Sequence, residues 1–435
     1  MLLVLDKSLE NGLLERRFEG EFIPPAYDDF CLSNVPSLIT SLLGQKSEKP
    51  TVLQEYFSKS VALESAQNII LMVLDGFGFD AWLRRASDGG FFQIVTERGV
   101  VIPITTVFPS TTAAALTTIS TGLTPQEHGL PEWFVYMKEL DMIVATLRFS
   151  PMGVNRRDAL FPKTNPSILL SANTIHTRLR KAGVTSLSLL PTSAASGAYA
   201  KVSLKGSEIV RYRTLAQYAL SLRKRLNNPQ TKTFVYAYWD TIDTAAHVYG
   251  PNAEETDAET SALSQVLKTE FLGKLEKEAA RNTVLIVTAD HGQVSVTPKE
   301  TIYLNKYPKV VSAFATSERK RRILPSWGPR DVALHIDASR LEATKSELRR
   351  LLGDRSVILE TREAIRMGLF GTNRVSRRFT RRAGDLLVLQ HGSNLVWYEH
   401  PNEEKFGLMG MHGGLTKNEM LIPLAAARLS DLLQA

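Results

Sequence analysis

The chain is poor in cysteine. Cys31 is the only one in 435 residues, which excludes an intramolecular disulfide and a cysteine-built zinc site and gives no sign of an oxidising compartment. Cys31 itself reads as a small buried hydrophobe. Long apolar runs are missing as well. No stretch approaches the roughly 20 residues that a membrane-spanning helix needs, and the opening MLLVLDKSLE is too short an apolar run for a secretory signal. A cytoplasmic protein without a membrane partner is therefore expected. There is no internal repeat and no low-complexity tract, which argues against solenoid and fibrous architectures. Charge is not strongly one-sided: 52 Lys and Arg stand against 45 Asp and Glu, a formal net charge of +7. Such a balance suits an anionic small molecule, a nucleic acid or an acidic surface equally, and says nothing about fold.

What is present is an alternation of apolar runs and amphipathic stretches, as in an α/β sandwich. Asn68 to Leu74, Thr233 to Trp239 and Thr283 to Ala289 are almost continuously apolar, which suits central strands of a mostly parallel sheet covered on both faces. Val100 to Phe108, Met142 to Arg148 and Ser186 to Leu190 read as further strands, Ser37 to Leu43 and Ser171 to Ala182 as helices, and Met420 to Leu424 as a closing segment of the core. Residues 1 to about 65 carry no chemistry and read as packing around that core. The pattern shifts between 296 and 406. Basic runs at Arg319 to Arg322 and Arg377 to Arg382 accompany strands at Val332 to Ile336, Ser356 to Glu360 and Asp385 to Leu389 and a helix at Arg340 to Leu352. The expected organisation is a core domain of residues 1–295 plus 407–435, with residues 296–406 inserted as a small α+β cap.

Chemistry collects at the strand ends. Asp75 follows the first central strand directly, where open α/β sheets place ligand-binding groups, although an acid there can simply cap the next helix. Asp240 ends the second. Asp243 and His247 follow it at the i,i+4 spacing that stacks a carboxylate and an imidazole on one helical face, as a metal pair or as a surface hydrogen bond. Asp290 and His291 end the third, with Gly292 behind them, and His412 sits in the glycine-rich run GMHGG. In VFPSTTAAALTTISTGLTPQEHGL, residues 107–130, the period changes from strand to helix after Pro109. Ser110 and Thr111 can cap that helix, Gly122 can stop it, and Thr112 falls in its first turn, where unpaired amides and the helix dipole favour an oxyanion. The basic loop of Arg156, Arg157 and Lys163 is solvated surface or a phosphate contact, and His335 and His391 read as structural. Taken together, four oxygen donors and three imidazoles at one predicted edge suit two divalent ions, Zn²⁺ first and Mn²⁺ second.

The stretches VLDGFGFD, VFPSTTAAALTTISTGLTPQEHGL, YWDTIDTAAHVYGP, VTADHGQ and MHGG, in this order and with an insertion between the last two, resemble the alkaline phosphatase superfamily, most closely its nucleotide pyrophosphatase/phosphodiesterase branch. The resemblance spans about residues 68 to 425. It implies a Thr112 nucleophile that ligates one metal with Asp75, Asp290 and His291, a second metal held by Asp243, His247 and His412, and hydrolysis of phosphodiester or nucleotide pyrophosphate bonds through a covalent phospho-threonine. A small phosphate-ester or nucleotide substrate is implied. The same scaffold leaves open a phosphomonoesterase, phosphonate hydrolase or sulfatase, the last disfavoured because its Cys or Ser nucleophile pattern is absent. A non-catalytic polyanion or nucleic-acid binder, suggested by the basic runs, has no need of a complete metal-ligand set. One departure stands out: Trp133 occupies the position where the branch usually carries an Asn whose amide supports a phosphate oxygen. His128 matches a position taken as structural.

Overall fold

The computed structural model describes residues 7–45, 52–60, 66–226, 231–401 and 406–433; the apolar start at 1–6 lies outside them. Apolar runs become strands of one seven-stranded sheet. In chain order these are β1 (Asn68–Leu74), β2 (Val100–Thr105), β3 (Thr185–Pro191), β4 (Glu208–Tyr212), β5 (Thr233–Trp239) and β6 (Thr283–Thr288). Further along come β7 (Asp331–Leu334), β8 (Ser356–Glu360) and β9 (Leu386–Gln390), and finally β10 (Leu421–Arg428). The main sheet runs β2-β10-β6-β1-β5-β3-β4. Strands β6, β1, β5, β3 and β4 pair in parallel, and β10 is antiparallel to both β6 and β2. Helices cover both faces, so β1, β5 and β6 are buried along their whole length, as their unbroken apolar sequences require.

Some sequence expectations change. The strand expected over Met142 to Arg148 stops at Ala145 and lies outside the main sheet. It forms a small antiparallel sheet with Phe134–Met137 and Ser150–Pro151, because a tight turn with Asp141 at φ 53° folds the chain straight back on its neighbour. Strand β2 ends at Thr105, and the chain then turns towards the Pro109 loop. The helix expected from Ser171 begins at Ile175, where the Thr174 hydroxyl caps the Thr177 amide, and the early helix spans Val35–Leu42 with Pro36 in its first turn. Strand β4 was not expected: it is the exposed edge, where burial imposes no clear apolar pattern. The N-terminal segment covers the other edge. Thr105 donates its amide to the Phe30 carbonyl at 2.8 Å, and the Ala26 amide donates to the Thr105 hydroxyl at 2.8 Å.

Between residues 296 and 406 the three strands form a separate sheet, β7-β9-β8. Strand alternation gives it two apolar faces. Val332, Leu334, Ile358, Leu386 and Val388 pack on the helix Leu341–Leu352 in a core of their own, while Ala333, Leu359, Leu387 and Leu389 join the main core. Trp327, Gly328, Pro329 and Trp397 of this segment line a cleft together with Thr112, Asp243, His247 and His412.

Candidate metal centre

Sheet register determines which acids meet. Val73 lies beside Thr288 and Leu74 beside Trp239, so residues just past the strand ends bring Asp75 next to Asp290 on one side and Asp240 on the other. Asp240 serves as N-cap residue of the helix Thr241–Tyr249 (α2). One turn later that helix brings Asp243 towards Asp75, and a further turn places His247 Nε2 3.4 Å from Asp243 Oδ2. The close approach depends on Gly76, at φ 71°: a Cβ there would lie 3.0 Å from Asp243, inside van der Waals contact and on a left-handed backbone.

The expected donors assemble into two triads. Ligand atoms of Asp75, Asp290 and His291 lie within 4.8 Å of one another, and so do those of Asp243, His247 and His412. In the first triad each carboxylate uses one oxygen to anchor itself. Asp75 Oδ2 accepts from the Tyr238 hydroxyl, and Asp290 Oδ1 accepts the amides of Gly76 at 3.1 Å and His291 at 2.9 Å. The other oxygens, Asp75 Oδ1 and Asp290 Oδ2, are buried without a hydrogen-bond partner, and each stands 3.4 Å from His291 Nε2. Buried carboxylate oxygens left bare are costly unless something positive completes them.

The imidazoles follow one rule. His291 Nδ1 faces the Gly292 carbonyl at 3.1 Å, His247 Nδ1 the Gly410 carbonyl at 2.7 Å, and His412 Nδ1 the Ser110 carbonyl at 3.0 Å. A carbonyl only accepts, so every Nδ1 carries the proton and every Nε2 presents a lone pair to the cluster, the arrangement that orients metal-ligating histidines. His412 stacks on His291 with ring centroids 3.7 Å apart. Gln293 donates from Nε2 to Asp243 Oδ1. The electrostatics agree: burial first, then the neighbouring Asp290 and Asp243, pushes the Asp75 carboxyl well above the usual carboxylate range. Burial likewise raises Asp290, and burial followed by His291 and His247 holds the His412 imidazole well below its ordinary value. The donor set fits two divalent cations. Among the described residues no other group of three such side chains has this geometry.

Thr112 meets the first triad. It opens the helix Thr112–Thr121 (α1), capped by the Thr111 hydroxyl, which accepts from the Ala114 amide, and its Oγ1 is 3.1 Å from His291 Nε2. The Ser110 hydroxyl donates to the Gly414 carbonyl at 2.7 Å and accepts from the Gly413 amide at 3.1 Å, which ties the glycine-rich loop carrying His412 to the threonine turn. Of the basic loop, Arg157 reaches the cleft wall, while Arg156 and Lys163 are exposed. His128 is buried outside the site; its Nδ1 accepts from the Leu130 amide and its Nε2 faces the Thr118 hydroxyl. His391 pairs with Glu21 and stacks on Phe22, and His335 lies edge-on to Tyr136. Tyr238 and Gln293 were not singled out from the sequence. The only signal for Tyr238 is that a hydroxyl inside a fully apolar strand needs a partner.

A family model for type I phosphodiesterase/nucleotide pyrophosphatase matches residues 69–415, a span that holds both triads and Thr112. No curated protein sequence matches the chain. Among solved structures, murine ectonucleotide pyrophosphatase/phosphodiesterase 5 is similar with a TM-score of 0.61 at 18% identity, over 82% of this chain and 87% of that one. An inactive threonine-to-alanine variant of that murine protein in complex with AMP gives the same values. The human counterpart gives 0.60 at 17% identity, over the same shares. At these identities the likeness speaks for the fold, and the match along the sequence speaks for the lineage: the chain belongs to the type I phosphodiesterase/nucleotide pyrophosphatase family of the alkaline phosphatase superfamily.

Proposed function

We propose that the protein is a two-metal hydrolase of phosphodiester or nucleotide pyrophosphate bonds in which Thr112 attacks phosphorus and is left as a covalent phospho-threonine, later released by water. The observation that carries this reading is the pair of bare, buried carboxylate oxygens, Asp75 Oδ1 and Asp290 Oδ2, beside a helix-opening threonine hydroxyl. Asp75, Asp290 and His291, with Thr112, would hold one divalent ion, and Asp243, His247 and His412 the other. A mixed carboxylate and imidazole set favours Zn²⁺, with Mn²⁺ next. When bound, the ions supply positive charge opposite the attacking and departing oxygens.

The chain itself supplies the rest. Position at the head of α1 lowers the cost of an alkoxide at Thr112 Oγ1, and the first-turn amides of Thr112 and Ala113, which have no intrahelical acceptor, are placed for a non-bridging phosphate oxygen. They take the place of the Asn amide that Trp133 replaces. His291 and His412 hold their Nδ1 protons on backbone carbonyls, which fixes the tautomer and turns each Nε2 lone pair towards the cluster. The AMP complex of the murine relative motivates a nucleotide probe. Chelator is expected to abolish hydrolysis of a p-nitrophenyl nucleoside 5′-phosphate, added Zn²⁺ or Mn²⁺ to restore it, and Thr112→Ala to remove it by at least about 10³-fold. Full turnover in Thr112→Ala ends the proposal. Side-by-side kcat/KM values for a diester, a monoester, a phosphonate and a sulfate ester separate this reading from other activities of the scaffold.

A further inference from the structure

The cleft over Thr112 has two halves, and Trp133 lines both. One half, about 200 Å³, is mixed in character, with Asp75, Tyr238, Asp240 and Arg157 on its walls. The other, about 370 Å³, opens beside Asp243, His247 and His412 and is walled by Trp133, Phe134, Trp327 and Trp397. Its rings form a continuous surface, with centroids 6.4 Å apart from Trp133 to Phe134 and 6.2 Å from Phe134 to Trp397. Leu408, partly exposed, carries the apolar lining out to solvent.

Among the described residues, basic side chains are missing from this second half, and burial, then Asp331, pushes its Glu132 carboxyl well above the usual carboxylate range. Beyond the triad, Glu132 is its ionisable wall, 3% exposed and with Oε2 lacking any partner. A second buried carboxylate, Asp331, backs it: a Cβ on Gly328 would lie 2.8 Å from Asp331 Oδ1 and 3.2 Å from Glu132 Oε1. Arg330, adjacent in the chain, offsets Asp331 only in part. Its guanidinium is taken by Glu419 at 2.9 and 3.0 Å and by the carbonyls of Asn394 and Gln390.

In-line displacement places the departing oxygen on the face of phosphorus opposite the nucleophile, hence towards Asp243, His247 and His412 and into the aromatic half. A departing pyrophosphate or nucleotide would carry several negative charges past the oxygen nearest Asp243, His247 and His412 into an aromatic wall that offers no Lys or Arg to receive them. An uncharged aryl or alkyl group gains by burial there. Resting on the proposed phosphodiesterase reading, we propose that the leaving group is an uncharged apolar alcohol seated against Trp133, Phe134 and Trp397, so that the substrate is a phosphodiester rather than a pyrophosphate.

The test uses the full chain. Thr112→Ala binds without turnover, and the tryptophans lining the cleft report occupancy by fluorescence. A nucleoside 5′-phosphate phenyl ester is expected to bind at least about 10-fold more tightly than the same nucleoside 5′-phosphate, consistent with burial of one ring, and the matching nucleoside triphosphate no more tightly. Wild-type kcat/KM is expected to favour the phenyl ester over the triphosphate. Leu408→Arg, at a partly exposed position outside the triads, should move that preference towards the triphosphate by at least about 10-fold. Tighter binding and faster hydrolysis of the triphosphate by the wild type overturns the inference and leaves the phosphodiesterase family reading standing. Hydrolysis of neither compound with both ions supplied removes that reading and the inference with it.

Discussion

The two triads are built from different material. Asp75, Asp290 and His291 emerge from the ends of adjacent central strands, their positions set by sheet register, and they are fully buried. Asp243, His247 and His412 come from one turn of α2 and a glycine-rich loop, with side chains 12 to 19% exposed. The first is therefore held by the part of the fold that is hardest to deform, and the second by elements that need Gly76 to let α2 approach and Gly410 to pass the Ala246 carbonyl, which a Cβ would meet at 2.2 Å. The bare buried carboxylate oxygens of the first site need a proton or a cation to complete them, whereas solvent can partly serve the second.

Substitution within each triad should separate them most sharply. Asp290→Asn is expected to lower turnover by at least about 10³-fold with no recovery in excess metal, because it removes the negative charge of a carboxylate in the triad that Thr112 meets. His412→Ala should cost about 10²-fold and recover in part at raised Zn²⁺, since the exposed site can be filled by mass action. Equal losses and equal rescue, read from steady-state kinetics across a metal titration, would erase the distinction. A smaller effect comes from the residues that hold the ligands. Tyr238→Phe frees Asp75 Oδ2 and Gln293→Ala frees Asp243 Oδ1, and each is expected to weaken metal affinity by about 10 to 100-fold, with the Tyr238 change also lowering the melting temperature because it strands a buried oxygen. Competition with a chelating dye and thermal melts report the two quantities.

The smallest effect is on pH. Asp75 and Asp290 are raised in the metal-free protein, so the stability they contribute is present below the ordinary carboxylate range and is lost as pH rises through their folded values. His412 is lowered; its contribution is present above its ordinary value and is lost as pH falls through the folded one. Cations compete with the carboxylate protons, so the rise in melting temperature on adding Zn²⁺ should shrink between about pH 8 and about pH 5. A metal-induced shift that does not change with pH would contradict the electrostatic account of the buried triad.

The same contrast explains what the sequence revealed. Strands β1, β5 and β6 are legible because burial on both faces leaves them almost wholly apolar, and Asp75, Asp290 and His291 because they stand directly after such runs, whereas Asp243 and His247 show in their i,i+4 spacing and His412 in its glycine-rich run. Strand β4 is an edge whose half-exposed residues obey no clean period, and the Met142 run belongs to a local hairpin that apolar content alone does not distinguish from a sheet strand. Tyr238 and Gln293 act on acids 163 and 50 residues away, so no short motif contains both partners. Trp133 is visible as an unusual residue in sequence, but its place between two unlike halves of the cleft depends on β7 and the Trp397 strand folding over it.

Under the proposed function two cations flank Thr112 in unlike surroundings. Anomalous diffraction at the zinc edge, from crystals grown with Zn²⁺, tests it directly. Two peaks about 4 Å apart, one among Asp75, Asp290 and His291 and one among Asp243, His247 and His412, with the second the weaker after a brief soak in chelator, are expected. A single peak, peaks away from these residues, or preferential loss from the buried triad would contradict the account.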